Sequence, residues 1–197
     1  MPKKRLPLMT GFLLLPWCLG LSAAQDMAVP LEVQYPLFLK ILTFDRNLQA
    51  RAGEELVIGV VYQPRVRASW LAKDALMKLI DTSSIQAKNL PVRGVPIKAG
   101  SPEHLARAIE THRVDVLYVG PLRAVAIEDV TSVSRPRHVI TLTGMPRYVD
   151  DGLAVGIGLA QERPEILINL AAARAEGADF KAQFLKLARV IHQKGDS

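Results

Sequence analysis

Short, almost wholly apolar runs recur along the chain at intervals that leave room for a helix between them. In the run Leu-Val-Ile-Gly-Val-Val-Tyr at 56–62, charged side chains are missing from both alternating faces. Such a run is typical of a strand that helices cover on both sides, as in parallel sheets. We therefore predict four strands, which lie at 56–62, 92–99, 114–119 and 139–143.

The segments between these runs carry apolar residues at three- and four-residue spacing, which predicts amphipathic helices. Ser69 and Ser101 stand where helix caps are expected, and Pro102 occupies the first helical position after the second cap. Residues 25–34 are mixed in character and are expected to be extended. The predicted helices lie at 36–48, 70–80, 102–112 and 122–130.

The C-terminal part of the chain shows a different order of elements. Two strand-like runs at 153–159 and 166–170 flank a polar turn and predict a β-hairpin. Asn169 is placed to cap a short helix that Gly177 ends, and a last amphipathic helix is predicted over 179–191. With the strand–helix–strand repeats before it, this pattern predicts an α/β fold. We expect a three-layer sandwich whose mostly parallel sheet has helices on both faces and the hairpin at its edge.

The N-terminal residues have the three parts of a secretory signal peptide: a basic start, a short apolar stretch and small residues before a cleavage point. We predict that residues 1–24 are removed by cleavage between Ala24 and Gln25. This leaves a single domain over 25–197 in the periplasm or outside the cell. An uncleaved N-terminal anchor and a lipid-modified Cys18 are the alternatives. No later segment is long and apolar enough to cross a bilayer, so no membrane insertion is expected after cleavage.

Charge and cysteine content narrow the functional classes. The chain has 25 basic and 19 acidic residues, a formal net charge of +6, but three of the basic residues lie in the predicted signal peptide. The remaining +3 is too small an excess to indicate a nucleic-acid partner. The single cysteine, Cys18, also lies in that segment. The mature domain is therefore expected to have no disulfide and no thiol chemistry.

Residue patterns of a catalytic or metal centre are not found in the sequence. The four histidines show none of the three- or four-residue spacings that metal sites use. The acidic pair Asp150 and Asp151 precedes Gly152, and a turn explains it. Neither a nucleophile elbow nor a dinucleotide-binding loop is present. We therefore expect a binding role, with no enzyme activity, no metal and no cofactor.

The strand ends offer one place for a small ligand. In open parallel sheets the binding crevice lies outside the carboxyl ends of the strands. Two of these ends lead into predicted helix N-termini, where free backbone N–H groups favour an anion. A plain scaffold of good turns and caps is the alternative interpretation of the same residues. The candidate ligand residues are Tyr62, Gln63, Ser69, Ser101, Gly120, Thr143 and Gly144.

The C-terminal third resembles a known family. A strand ending in Ile-Asn-Leu runs into the alanine-rich segment 168–174, and Gly177 follows it. The last predicted helix then reads Phe-Leu-Lys-Leu-Ala-Arg-Val-Ile at 184–191. This order resembles the closing segment of the YfiR-like family of periplasmic proteins. Residues 35–44 and 56–62 are similar in position to the N-terminal helix and first strand of that family.

The resemblance implies a secreted domain that acts by binding. The best-known members restrain an inner-membrane diguanylate cyclase and so lower cyclic-di-GMP output, and other relatives accompany sensor kinases. The chain differs from those members in lacking disulfides and in having Asp-Arg-Asn at 45–47 where they have Trp-Pro.

From these features together we expect a periplasmic, non-enzymatic regulator of an inner-membrane signalling protein. A homodimer is a further option, and small-ligand sensing in the strand-end crevice is the alternative function. Aromatic residues often anchor contacts between proteins. The candidate partner-binding residues are Tyr35, Trp70 and Tyr148.

Overall fold

Seven strands pair into one sheet in the computed structural model, which describes residues 27–123 and 125–191. The predicted signal peptide lies outside the described residues. The strands are β1 (Leu56–Tyr62), β2 (Val92–Lys98), β3 (Val116–Val119), β4 (Ile140–Thr143), β5 (Val155–Ala160), β6 (Arg163–Asn169) and β7 (Arg189–Ile191). Their order across the sheet is β2-β1-β3-β4-β5-β6-β7.

Eight α-helices and one turn of 3-10 helix, Arg135–Arg137, connect these strands in the described part of the chain. The helices are α1 (Leu31–Leu42), α2 (Leu48–Ala52), α3 (Arg67–Thr82), α4 (Pro102–His112), α5 (Ile127–Ser134), α6 (Pro146–Asp150), α7 (Leu170–Ala175) and α8 (Ala182–Leu185).

The sheet is parallel from β2 to β5, as the strand–helix alternation predicts. The β1 residue Ile58 pairs with Val116 of β3, and the neighbouring pairs keep the same direction. The predicted hairpin forms, because β5 and β6 are antiparallel, but β7 pairs outside it, so the hairpin is not the edge of the sheet. Its two turn residues, Gln161 and Glu162, have φ values of 48° and 61°, which suit the tight turns of hairpins.

Two apolar cores lie on opposite faces of the sheet, which makes the molecule a three-layer sandwich. Alternate β1 residues point to different cores: Ile58 belongs to one, and Val57 belongs to the other. The first core is completed by α1, α3, α7 and α8, and the second by α4, α5 and α6. Burial on both faces explains why the first strand has an almost continuous apolar sequence.

The first helix begins earlier than the sequence predicts. It starts at Leu31 and ends at Leu42, so the expected extended segment 25–34 and the predicted helix 36–48 are both partly wrong. Pro36 lies inside the helix rather than at its start. A proline in the second turn removes one backbone N–H donor, and burial of Tyr35, Phe38 and other α1 side chains offsets that loss.

The helix predicted over 122–130 is displaced to Ile127–Ser134. Side chains explain the displacement because they satisfy the backbone of the preceding loop. The Tyr148 hydroxyl accepts a hydrogen bond from Leu122 N at 2.9 Å and donates one to Leu122 O at 3.1 Å. The Gln63 amide makes the equivalent pair of bonds with the backbone of Arg123. Helical hydrogen bonds are therefore not needed at these positions.

The long last helix predicted over 179–191 is wrong. Only the single turn α8 forms, and β7 then pairs beside β6 as the outermost strand. The chain here is held by residues far away in sequence, since Arg46 N donates to Asp179 O and Lys181 N donates to Phe44 O. These bonds keep 179–181 extended and delay the start of any helix.

Candidate functional site

The polar residues predicted to line a ligand crevice are partnered within the fold. Ser69 lies inside α3 rather than at its cap, is fully buried, and accepts a hydrogen bond from Gln63 N at 2.9 Å. Thr143 Oγ1 donates to Val119 O at 2.9 Å and accepts from Met145 N at 3.1 Å. Their hydrogen-bonding capacity thus holds the strand ends and the following loops in place.

Two more of the predicted ligand residues serve capping and close packing. Ser101 caps α4 as predicted, accepting from His104 N at 3.4 Å. Gly144 is tightly enclosed, because a Cβ there would lie 2.5 Å from Oε1 of Gln34. The cavity beside this edge, lined in part by Val61 and Leu105, has a volume of about 10 Å³. That is room for roughly one water molecule, so this cavity is too small for a ligand.

An open apolar groove lies nearby, between α3 and the start of α1. Small residues recur on α3 at Ala68, Ala72 and Ala75, so this face of the helix is low and leaves a depression. The groove has a volume of about 310 Å³. Its described lining consists of Met27, Val29, Pro30, Leu31, Glu32, Ala68, Leu71, Ala72, Ala75 and Pro121.

Leu71 is a large exposed apolar side chain of this groove, which we call the α1–α3 groove. It is 48% exposed, although the next α3 residue, Ala72, is buried. Glu32 is the one charged residue among the described lining residues. The surface is thus suited to an apolar segment of another protein that brings a basic residue to the rim.

Of the three aromatic residues predicted to contact a partner, only Trp70 is accessible. It is 44% exposed, and Lys73 Nζ lies 5.0 Å from its ring centroid. The same ammonium lies 5.1 Å from the ring of Tyr62, so one cation links the two aromatic side chains. Tyr35 and Tyr148 are buried in the core, where they contribute packing and loop hydrogen bonds.

The groove is not among the sites predicted from the sequence. The alanines at 68, 72 and 75 are the sequence signal that indicates a low face on α3. The groove also requires α1 to begin at Leu31, within a segment predicted to be extended.

Two further properties concern the described residues alone. Within 27–123 and 125–191, no group of three His, Cys, Asp or Glu side chains lies close enough together to hold a metal ion. None of the helices in these ranges has the length and apolar character needed to cross a bilayer.

The sheet and its two helical layers define a mostly parallel α/β domain, and solved structures of other proteins share this fold. A substrate-binding protein with adhesive properties from Clostridium difficile, CD0873, matches with a TM-score of 0.54 and 17% identity. A conserved domain protein from Vibrio cholerae matches with a TM-score of 0.55 and 18% identity. A Streptococcus pneumonia ABC domain in complex with L-Trp matches with a TM-score of 0.54 and 14% identity. These identities show a likeness of fold alone.

The matches cover most of this chain but a smaller share of the other proteins. They include 75%, 82% and 78% of this chain for CD0873, the Vibrio protein and the Streptococcus domain, respectively. The corresponding shares of those three proteins are 58%, 60% and 61%. The chain therefore spans about three fifths of the length of each.

The family follows from a direct match of sequence. The family model DUF4154, described as YfiR/HmsC-like, matches residues 37–189, which is more than half of the chain. The chain belongs to this family. Comparison with curated proteins gives no match.

Proposed function

We propose that this chain is a periplasmic, non-enzymatic regulator that binds and modulates an inner-membrane signalling protein, either a diguanylate cyclase or a sensor kinase. Membership of the YfiR/HmsC-like family supports the class of function. The α1–α3 groove, with Leu71 exposed on its rim, is the observation that carries the mode of action.

The chemistry of the groove indicates what the partner segment contributes. Apolar side chains from the periplasmic part of the partner would fill the space above Ala68, Ala72 and Ala75, releasing water from both surfaces. A lysine or arginine of the partner would face Glu32. Regulation then requires that the groove bind one state of the partner more tightly than the other, since a ligand shifts an equilibrium only by its differential affinity.

Small-ligand sensing at the strand ends has less support. The cavity there has a volume of about 10 Å³, and the predicted ligand residues Ser69 and Thr143 already make hydrogen bonds within the fold. The α1–α3 groove is about 310 Å³ and open, which suits a protruding segment of a protein.

Replacing Leu71 by glutamate is expected to reduce capture of the membrane partner at least about tenfold. The variant buries a charge against an apolar segment and places it in the same groove as Glu32. Tagged protein is crosslinked in intact cells, and the recovered inner-membrane proteins are quantified by mass spectrometry. Cellular cyclic-di-GMP is measured in the same cultures.

The matched control is Ile85→Glu. Ile85 is 45% exposed, close to the 48% of Leu71, and lies beyond the opposite end of α3. It should leave capture unchanged. If Leu71→Glu and Ile85→Glu capture the partner equally well, the groove is not part of the binding surface. Recovery of no cyclase or kinase with the wild-type protein would overturn the proposed function itself.

A further inference from the structure

A second, larger pocket opens at the opposite edge of the sheet, where β1, β2 and β3 begin and α2 ends. Its volume is about 420 Å³. Unlike the α1–α3 groove, it has a lining rich in charged groups of both signs. The charged lining residues are Arg51, Glu54, Glu55, Arg93, Arg113 and Asp115.

Asp115 is a rigidly held acid in this pocket. It precedes a strand of apolar residues, and its side chain is almost completely buried. Oδ2 accepts a hydrogen bond from Val57 N at 2.8 Å, and Asp115 N donates to Val57 O at 3.0 Å. Oδ1 accepts no hydrogen bond from the described residues. One carboxylate oxygen is therefore fixed in the pocket and free to accept a donor from a ligand.

Burial raises the pKa of Asp115 to about 6. The guanidinium groups of Arg51 and Arg93 favour the ionised carboxylate, and the carboxylate of Glu55 opposes it. Near neutral pH the group is thus largely ionised but poorly solvated. An ammonium group brought close to Oδ1 would offset the loss of water around the charge.

Most of the other charges in the pocket are already paired. Arg93 binds Glu55 at 2.9 Å, and Arg51 Nη2 donates to Gly177 O at 2.9 Å while lying 3.5 Å from Asp45. Arg113 and Glu54 make no ion pair with any described residue. Arg51 Nη1 is buried and has no hydrogen-bond partner within the described part of the chain.

We propose that this amino-edge pocket binds a small zwitterion of the α-amino acid class, with its ammonium at Asp115 Oδ1 and its carboxylate toward Arg113. A simple anion would be attracted by Arg113 but repelled by Asp115, and a simple cation would be attracted by Asp115 but repelled by Arg113. Only a ligand that carries both charges places each one opposite its complement.

The test is isothermal titration calorimetry of the purified protein with each of the twenty standard L-amino acids. We expect at least one to bind. Its decarboxylated amine and its deaminated acid should each bind at least about tenfold more weakly, because each lacks one of the two charges. If no amino acid binds, or if either analogue binds as tightly as the amino acid, the proposal is overturned.

Variants connect the binding to this pocket. Asp115→Asn retains an acceptor for Val57 N, and Arg113→Gln changes an exposed side chain, so both should fold as judged by thermal unfolding. Each variant is expected to bind the amino acid about tenfold more weakly than the wild type does. The controls Asp150→Asn and Arg163→Gln alter exposed charges elsewhere and should leave the affinity for the amino acid unchanged. Unchanged affinity in both pocket variants would place the ligand elsewhere and overturn the assignment.

This inference is independent of the proposed regulatory function. The Asp115 and Arg113 variants leave the α1–α3 groove intact and should capture the membrane partner as the wild type does. Loss of amino-acid binding with retained capture therefore separates the two sites. Loss of capture in Leu71→Glu with retained amino-acid binding separates them in the other direction.

Discussion

Replacing Asp45 by alanine is expected to lower the free energy of unfolding by about 3–5 kcal/mol. Asp45 is fully buried, and it pairs with Arg51 at 3.5 Å between Oδ2 and Nη2. Removing the carboxylate leaves the guanidinium in a poorly solvated place without its closest opposite charge. Urea unfolding followed by circular dichroism measures the change.

Hydrogen bonds add to the effect of the lost ion pair. Asp45 Oδ1 accepts from Asn47 N at 3.1 Å and from Asp179 N at 2.8 Å. The second bond joins positions 134 residues apart, so it fastens the C-terminal segment to the corner after α1. Asn47 Nδ2 strengthens the same junction by donating to Gly177 O at 3.0 Å. The Asp45→Ala variant therefore loses the hydrogen bonds to both chain segments of this junction, and it also leaves Arg51 without its ion-pair partner.

Arg46→Ala is the matched control from the same loop. Arg46 pairs with Asp179 at 2.8 Å, but both side chains are 53% exposed. An exposed pair of this kind contributes less than about 1 kcal/mol. If Asp45→Ala is no more destabilising than Arg46→Ala, the buried carboxylate does not hold the junction. Asp45→Asn should fall between the two, since its Oδ1 remains an acceptor while the charge is lost.

The Asp45 junction also shows why the sequence predicts some elements better than others. The apolar runs that became β1 and β3 are decided by burial on both faces, and this is visible within a few neighbouring residues. The Asp-Arg-Asn segment at 45–47 gives no such local signal. Its role depends on contacts with 177–181, and those contacts replace the predicted last helix with one helical turn and the strand β7.

The candidate sites follow the same division. Ser101 was predicted correctly as a cap because capping depends on local sequence. Gln63 and Tyr148 satisfy the backbone of a loop that is distant from both in sequence, so the displacement of α5 could not be predicted from helical spacing. The α1–α3 groove depends on how α3 packs beside the start of α1, and these two helices are far apart in sequence. The amino-edge pocket requires three strands to begin together, which the strand runs indicate only when the sheet order is known.

A pH-dependent contribution to stability is expected from Glu176, which is fully buried beneath the 3-10 turn. Oε1 accepts from Ser134 Oγ at 2.9 Å, and Oε2 accepts from Thr141 N at 2.7 Å. These bonds favour the carboxylate, but burial dominates and raises the pKa of Glu176 from 4.5 to about 7. Arg135 and Arg51 are the cations that face it.

The direction of the effect follows from the raised pKa. Between pH 4.5 and 7 the folded protein retains a proton on Glu176 that the unfolded chain has released. Stability from this group is therefore present at acidic pH and is lost as the pH rises through 7. Its magnitude is on the order of 2–3 kcal/mol. Asp115 acts in the same direction at lower pH, so the wild-type curve alone does not separate the two groups.

Glu176→Gln isolates the contribution of Glu176. The glutamine amide oxygen can accept from Thr141 N, and its NH₂ group can donate to the hydroxyls of Ser134 and Thr141, so the variant retains the contacts of the protonated acid. Urea unfolding is measured at pH 5 and pH 8. From pH 5 to pH 8, the free energy of unfolding of the variant should rise relative to that of the wild type by the same amount, about 2–3 kcal/mol. Glu162→Gln, in the exposed hairpin turn, should run parallel to the wild type. A Glu176→Gln curve parallel to the wild type as well would mean that Glu176 is ionised in the folded protein at both pH values, with Arg135 and Arg51 offsetting its burial.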